Sequence, residues 1–111
     1  MRENDKPVLI YSTFPSPADA ERVGGALVDR GLAACVNIFP GMTAIYIWEG
    51  KRQRDTEAAM IIKTRAELAP RVVAEARKLH PYGNPALVVV PITGGSEDFL
   101  RWITQQTAAP A

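Results

Sequence analysis

Two side chains in this 111-residue chain could bind soft or borderline metal ions: the single cysteine, Cys35, and the single histidine, His80. A thiolate favours Cu(I) or zinc, and a neutral imidazole binds most transition metals. Because the two residues lie far apart in the sequence, only the fold or an assembly can bring them together, with a carboxylate such as Glu57 or Asp55 as a further ligand. The alternatives are a small buried thiol for Cys35 and, for His80, a histidine at a helix C-terminus that interacts favourably with the helix dipole or hydrogen-bonds a carbonyl.

A second group of charged residues lies between two predicted strands. Lys51, Arg52 and Arg54 could bind phosphate or RNA, but they are flanked by acidic residues, which is typical of a solvated hairpin tip. The flanking acidic residues are Glu49, Asp55 and Glu57. Thirteen basic and twelve acidic residues give a net charge of +1, which argues against a dedicated duplex-DNA-binding protein. The third strand, residues 58–63, lacks aromatic stacking residues, which counts against an RNA-recognition domain, so we predict no nucleic-acid partner. The sequence contains no glycine-rich phosphate loop after a strand and no convincing Ser/His/Asp arrangement. We therefore predict a protein that is not an enzyme.

The composition predicts one soluble domain over residues 1–111, with an ordered core over about 8–107. Hydrophobic residues make up 47% of the chain, enough for a packed core, and a single cysteine excludes an internal disulfide. The first residues are charged and no apolar run reaches the roughly 20 residues needed to cross a bilayer. We expect a cytoplasmic protein with no membrane contact.

The first half of the chain predicts a strand, a helix and a long hairpin. An apolar run over 8–11 indicates a central strand. Ser16 and Pro17 then form a helix start, and Gly31 suits its left-handed end. Residues 33–48 read as one long strand bent at Pro40-Gly41, and the chain returns over 57–64 after a turn.

The second half predicts a helix, a strand and a final helix. The second helix begins near Ala66 or Glu67, with Pro70 in its first turn, and ends at His80. Residues 86–90 form a strand that Pro91 places at a sheet edge. A last helix follows Gly94-Gly95-Ser96. The order β-α-β-β-α-β plus a helix predicts an α+β, ferredoxin-like sandwich with an antiparallel sheet, a long β2-β3 hairpin and an extra C-terminal helix.

The hairpin is too long for the sheet that the other strands can form. Its first strand would extend about 50 Å at roughly 3.3 Å per residue, whereas the first and last strands are about half as long. The overhang would leave an apolar edge unpaired and expose the end at Tyr46, Ile47 and Trp48. Pairing with sister subunits resolves this, so we predict an obligate oligomer. The alternative is a hairpin folded over its own monomer.

Several stretches in register resemble the CutA family of divalent-cation tolerance proteins, over about residues 8–107. They are Leu32-Ala33-Ala34-Cys35-Val36-Asn37-Ile38, Pro40-Gly41 with Tyr46-Ile47-Trp48-Glu49-Gly50-Lys51, Ile61-Ile62-Lys63-Thr64-Arg65, Leu79-His80-Pro81-Tyr82 and Phe99-Leu100-Arg101-Trp102-Ile103. The resemblance implies a ferredoxin-like homotrimer related to the PII signalling proteins. It also implies a role in the response to metal ions, with copper or another divalent cation bound, and no settled enzymatic reaction.

The family's metal-associated positions map to Cys35 and His80, and Glu57 is our third candidate ligand. The family commonly reads His-Pro-Tyr-Glu-x-Pro-Glu, whereas this chain has Gly83 and Ala86 at the acidic positions. The loss of both carboxylates weakens the expectation of oxygen ligands around His80.

Three functions remain open from the sequence. The first is a metal-responsive binding protein. The second is a PII-like module that binds a small ligand or a protein partner in clefts between subunits, with Trp48, Lys63 and Tyr82 as candidate contacts. The third is an assembly scaffold without a small ligand.

Overall fold

The computed structural model describes residues 6–107 and contains four strands and three helices in that range. In chain order they are β1 (Pro7–Phe14), α1 (Pro17–Asp29), β2 (Cys35–Trp48), β3 (Lys51–Arg65), α2 (Ala69–Leu79), β4 (Leu87–Pro91) and α3 (Glu97–Gln106). The predicted order of elements is confirmed.

The four strands form one antiparallel sheet in the order β2-β3-β1-β4. The apolar strand β1 lies between two neighbours, as its unbroken run of apolar residues predicts. The strand that ends at Pro91 lies at an edge, where its missing N–H breaks no ladder. The predicted α+β, ferredoxin-like architecture is confirmed.

The two faces of the sheet are covered by different helices. On one face, alternate residues of β1 (Val8, Ile10 and Phe14) are buried in a core shared with α1 and α2. On the other face lies α3, whose Phe99 ring is 5.1 Å from the Lys63 ammonium group. The carbonyl of Thr107, just after α3, accepts a hydrogen bond from Arg65. The C-terminal helix therefore covers part of the face that the ferredoxin-like core leaves open.

The bend at Pro40-Gly41 is a β-bulge. The β2–β3 register shifts between Phe39 and Met42, and Gly41 has a φ of 71°, in the left-handed region that favours glycine. Beyond the bulge, residues 42–48 pair with residues 51–57, whereas β1 ends at Phe14, opposite Ala58. The hairpin thus overhangs its own sheet by about 23 Å at roughly 3.3 Å per residue, as predicted.

Two element boundaries differ from the prediction. The β3 strand begins at Lys51, well before residue 57, because the turn consists of only Glu49 and Gly50, whose φ angles of 49° and 78° suit a tight hairpin. Helix α2 begins at Ala69, two or three residues after the predicted start, with Pro70 in its first turn as predicted. Residues 66–68 form a turn instead, in which the N–H groups of Leu68 and Ala69 donate to the carbonyls of Arg65 and Ala66.

Candidate functional site

A cleft lies where the hairpin leaves the sheet, on the face that also carries α3. Its volume is about 510 Å³, within the usual range for small-molecule sites. Strands β1, β2 and β3 and the loop after α2 supply its walls. The lining residues are Thr13, Tyr46, Trp48, Asp55, Glu57, Tyr82, Gly83, Asn84 and Ala86. Four of the residues that the sequence analysis named as candidates, Asp55, Glu57, Trp48 and Tyr82, therefore meet in one place.

Two carboxylates face this cleft because β3 places them two residues apart, on the same side of the strand. Asp55 accepts a hydrogen bond from the hydroxyl of Tyr46. Glu57 accepts one from the hydroxyl of Tyr82, with 2.7 Å between the oxygens. Each carboxylate retains further lone pairs that can accept from a ligand.

The phenols remain protonated donors at neutral pH. The hydrogen bond to Asp55 raises the pKa of Tyr46, with smaller contributions from desolvation and the nearby carboxylates. Burial, together with the hydrogen bond and negative charge of Glu57, raises the pKa of Tyr82 far above its ordinary value. Among the described lining residues there is no lysine, arginine or histidine. The cleft is therefore negatively charged and favours cations.

His80 lies beneath the cleft rather than in its wall. Its Nδ1 accepts from the backbone N–H of Tyr82 at 3.1 Å, so the proton must be on Nε2, which donates to the carbonyl of Thr13 at 2.8 Å. The ring stacks on Phe14 with centroids 4.3 Å apart, and burial is the main cause that lowers its pKa. Both nitrogens are engaged, and the ring positions Tyr82 above it.

Cys35 and Lys63 lie elsewhere on the sheet. The two residues pair with each other across β2 and β3. Their pair lies four residues from the Phe39–Ala59 pair, next to which the hairpin overhang begins. That distance is about 13 Å along a strand. The half-buried thiol of Cys35 contacts the carbonyl of Val36 at 3.8 Å. Within residues 6–107, no three His, Cys, Asp or Glu side chains come together in a way that could hold a metal ion.

Thr13, Tyr46 and Asn84 line the cleft but were not among the predicted site residues. Strand alternation could have indicated Tyr46, because it lies on the same face of β2 as Trp48. Its partner across the hairpin is Gln53, which shares a face of β3 with Asp55. Nothing in the sequence places Thr13 or the loop at Asn84 beside that face.

Comparison with known proteins gives a consistent assignment. The sequence profile of the family described as CutA1 divalent ion tolerance protein matches residues 8–106. The divalent-cation tolerance protein CutA of Archaeoglobus fulgidus is 45% identical over 97 residues, covering 87% of this chain and 94% of that protein. The chloroplastic protein CutA of Arabidopsis thaliana is 39% identical over 110 residues, or 96% of this chain, but this chain spans only 60% of that protein's length.

Solved structures agree with the sequence relatives. Crystalline CutA1 from Oryza sativa superposes with a TM-score of 0.92 at 35% identity and covers 98% of this chain and 100% of its own. The structure described as the periplasmic divalent cation tolerance protein CutA from Archaeoglobus fulgidus gives a TM-score of 0.86 at 43% identity, covering 90% of this chain and 97% of its own. No described helix is long and apolar enough to cross a membrane. This chain belongs to the CutA1 family of divalent ion tolerance proteins.

Proposed function

We propose that this protein takes part in the response to divalent metal ions, copper included, by binding them at the carboxylates of the hairpin cleft. The observation that carries this proposal is the pair Asp55 and Glu57, which face one cleft without a basic residue among its described lining side chains. The names of its relatives as divalent-cation tolerance proteins support the same role.

The donors that the cleft offers are mainly oxygens. Besides the two carboxylates, Thr13 and Asn84 lie in its wall, and such ligands suit hard divalent ions and Cu(II) better than Cu(I). His80 could join as a ligand only by releasing the backbone N–H of Tyr82 from Nδ1. Cys35, at its distance, would need donors from a second chain.

Calorimetric titration with Cu(II) and Mn(II) tests the cleft. We expect Glu57→Gln and Asp55→Asn each to weaken binding about tenfold, which corresponds to about 1.4 kcal/mol. Glu67→Gln is the matched control, because Glu67 is exposed in the turn that follows β3 and does not line the cleft. Unchanged metal affinity in both cleft variants would contradict a metal site at Asp55 and Glu57. If metal binding were lost only in Cys35→Ser or His80→Ala, those residues would be the ligands instead.

We also propose that the protein is a homotrimer that buries, between subunits, the face of the overhanging hairpin opposite the cleft. Ile45 and Ile47 on that face are 55% and 67% exposed in the single chain, and natural proteins cover such an apolar overhang. Sedimentation should give about three times the chain mass of 12.1 kDa. A monomeric mass at micromolar concentration would refute this assembly.

We further propose a non-catalytic role in the cytoplasm, without nucleic acid as a partner. Relatives are named for cation tolerance rather than for a reaction, and their compartments differ: one is chloroplastic and another is described as periplasmic. Fractionation of cells that express the full protein tests the compartment, and recovery outside the cytoplasm would contradict it.

A further inference from the structure

The cleft is larger and more apolar than a bare metal ion requires. Its volume of about 510 Å³ would hold many times the roughly 30 Å³ that one water molecule occupies. The indole of Trp48 and the ring of Tyr46 are both in its wall and both exposed. A ligand that uses the whole cleft therefore has an apolar body as well as a polar group.

The charge of the cleft decides the sign of that polar group. Asp55 and Glu57 each accept one phenol hydrogen bond, and their other lone pairs stay available. The nearest basic residue on this face of the hairpin is Lys51, opposite Trp48 at the tip, and it is not part of the described lining. An anion would meet two carboxylates there without a compensating charge, whereas a cation would be attracted to both.

We propose that the cleft binds an organic ammonium ion, with the charged nitrogen at Glu57 and Asp55 and the apolar body against Trp48. Carboxylates accept charge-assisted hydrogen bonds from an ammonium group, and the large indole surface of Trp48 removes the apolar body of the ligand from water. This proposal deepens the proposed function of the same cleft and rests on its assignment of the two carboxylates as cation ligands. It adds Trp48, which a metal ion does not need.

The test uses a non-absorbing ammonium compound and its neutral counterpart. The chain has two tryptophans, so a Trp102→Phe variant leaves Trp48 as the only indole to report by fluorescence. Titration at neutral pH with cyclohexylmethylammonium chloride should show saturation, with a Kd of about 1 mM or tighter. Cyclohexylmethanol should bind at least tenfold more weakly. Equal binding of the alcohol, or no binding of the ammonium ion up to about 10 mM, would overturn the proposal.

Variants then separate this site from the metal site. By calorimetry, Glu57→Gln should weaken ammonium binding about tenfold, and Trp48→Leu about fivefold, with Glu67→Gln unchanged. Trp48→Leu should alter Cu(II) affinity by less than twofold. Ammonium binding that is insensitive to Trp48→Leu would overturn the inference. Failure of metal binding with intact, Trp48-dependent ammonium binding would instead refute the proposed metal site alone.

Discussion

At the scale of single residues, the buried hydroxyls of the core differ in whether they have a partner. Ser12 is fully buried on β1, and its Oγ has no hydrogen-bond partner within the described part of the chain. Thr64 is equally buried but donates to the carbonyl of Leu32 at 2.7 Å. A buried hydroxyl without a partner costs free energy that folding does not recover.

We therefore expect Ser12→Ala to raise the free energy of unfolding by about 1 kcal/mol, since it removes an unpaired polar group without leaving a large cavity. Thr64→Val, its matched control, should lower that free energy by about 1 to 2 kcal/mol, because it leaves the carbonyl of Leu32 without its donor. Urea denaturation of both variants measures the difference. A destabilised Ser12→Ala would show that the hydroxyl has a partner after all.

His80 should make stability depend on pH. Burial, with a smaller contribution from Arg22, lowers its pKa below the ordinary value of 6.5, although the carbonyl of Thr13 and the carboxylates of Asp19 and Glu57 oppose this. The unfolded chain then takes up a proton at higher pH than the folded one, so stability rises with pH across that interval. The contribution is fully present above about pH 6.5 and is lost as the pH falls toward the folded pKa.

Denaturation between pH 7.5 and about pH 5.5 tests this. The free energy of unfolding should fall across that range in the parent protein, and the fall should be smaller in His80→Gln, which cannot take up a proton. An equal slope in both proteins would show that other groups cause the pH dependence.

Residue types alone identified Cys35 and His80 as candidate metal ligands, but they did not predict which groups the two side chains contact. The pattern that ends a helix at His80 is confirmed, and the alternative of a histidine held by hydrogen bonds is what the geometry shows. Which backbone groups reach its two nitrogens depends on how β1 and the loop after α2 lie in space. No sequence spacing contains that information.

At the scale of elements, the glycine pair in α1 shows how closely a helix can approach a sheet. A Cβ atom at Gly24 would lie 2.8 Å from the sulfur of Met60 and 2.9 Å from a methyl of Val36, too close for either contact. A Cβ at Gly25 would meet nothing within 4 Å. Gly24 therefore allows α1 to pack closely against the sheet, whereas Gly25 only lowers the helix propensity.

These two glycines should respond in opposite directions to alanine. Gly24→Ala should lower the free energy of unfolding by about 1 kcal/mol, because overpacking against Met60 and Val36 outweighs the gain in helix propensity. Gly25→Ala should raise it by up to about 1 kcal/mol, since only the propensity changes. Thermal unfolding of both variants gives the comparison. Equal stabilisation by both would mean that the sheet yields easily at Gly24.

Most elements were predictable because local signals and tertiary packing agree. Ser16 caps α1 by accepting from the N–H of Asp19 at 3.2 Å, and Gly31 follows the helix with a φ of 72°, as their residue types indicate. The start of α2 was predicted two or three residues too early, at Ala66 or Glu67. Residues 66–68 form a turn, and their types (Ala, Glu and Leu) are good helix formers, so local signals do not distinguish that turn from the start of a helix.

At the scale of the whole molecule, the cleft is a product of register. Asp55 and Glu57 reach it from β3, Tyr46 and Trp48 from β2, and Tyr82 from a loop that the His80 contacts hold in place. A one-residue shift in either strand would turn the carboxylates or the rings to the opposite face. The bulge at Gly41 sets this register, so the fold could be predicted from the sequence but the meeting of these side chains could not.

The face of the hairpin opposite the cleft provides the sharpest test of assembly. Ile47 alternates with Tyr46 and Trp48, so its side chain points away from the cleft, and it pairs with Arg52 across the hairpin. Ile47→Glu would place a carboxylate opposite Arg52, which preserves the pairing within one chain. If the overhang is buried between subunits, the same change removes about 2 kcal/mol of apolar burial from each subunit and adds a charge that must be desolvated.

We therefore expect Ile47→Glu to shift the sedimenting mass from trimer toward monomer at micromolar concentration, and to lower the melting temperature as the protein is diluted. Val28→Glu is the matched control, because Val28 is an exposed apolar residue near the far end of α1. It should leave the mass unchanged. A variant at Ile47 that sediments as the parent does would place this face in solvent, and the subunits would then have to meet along the strand edges of β2 or β4 alone.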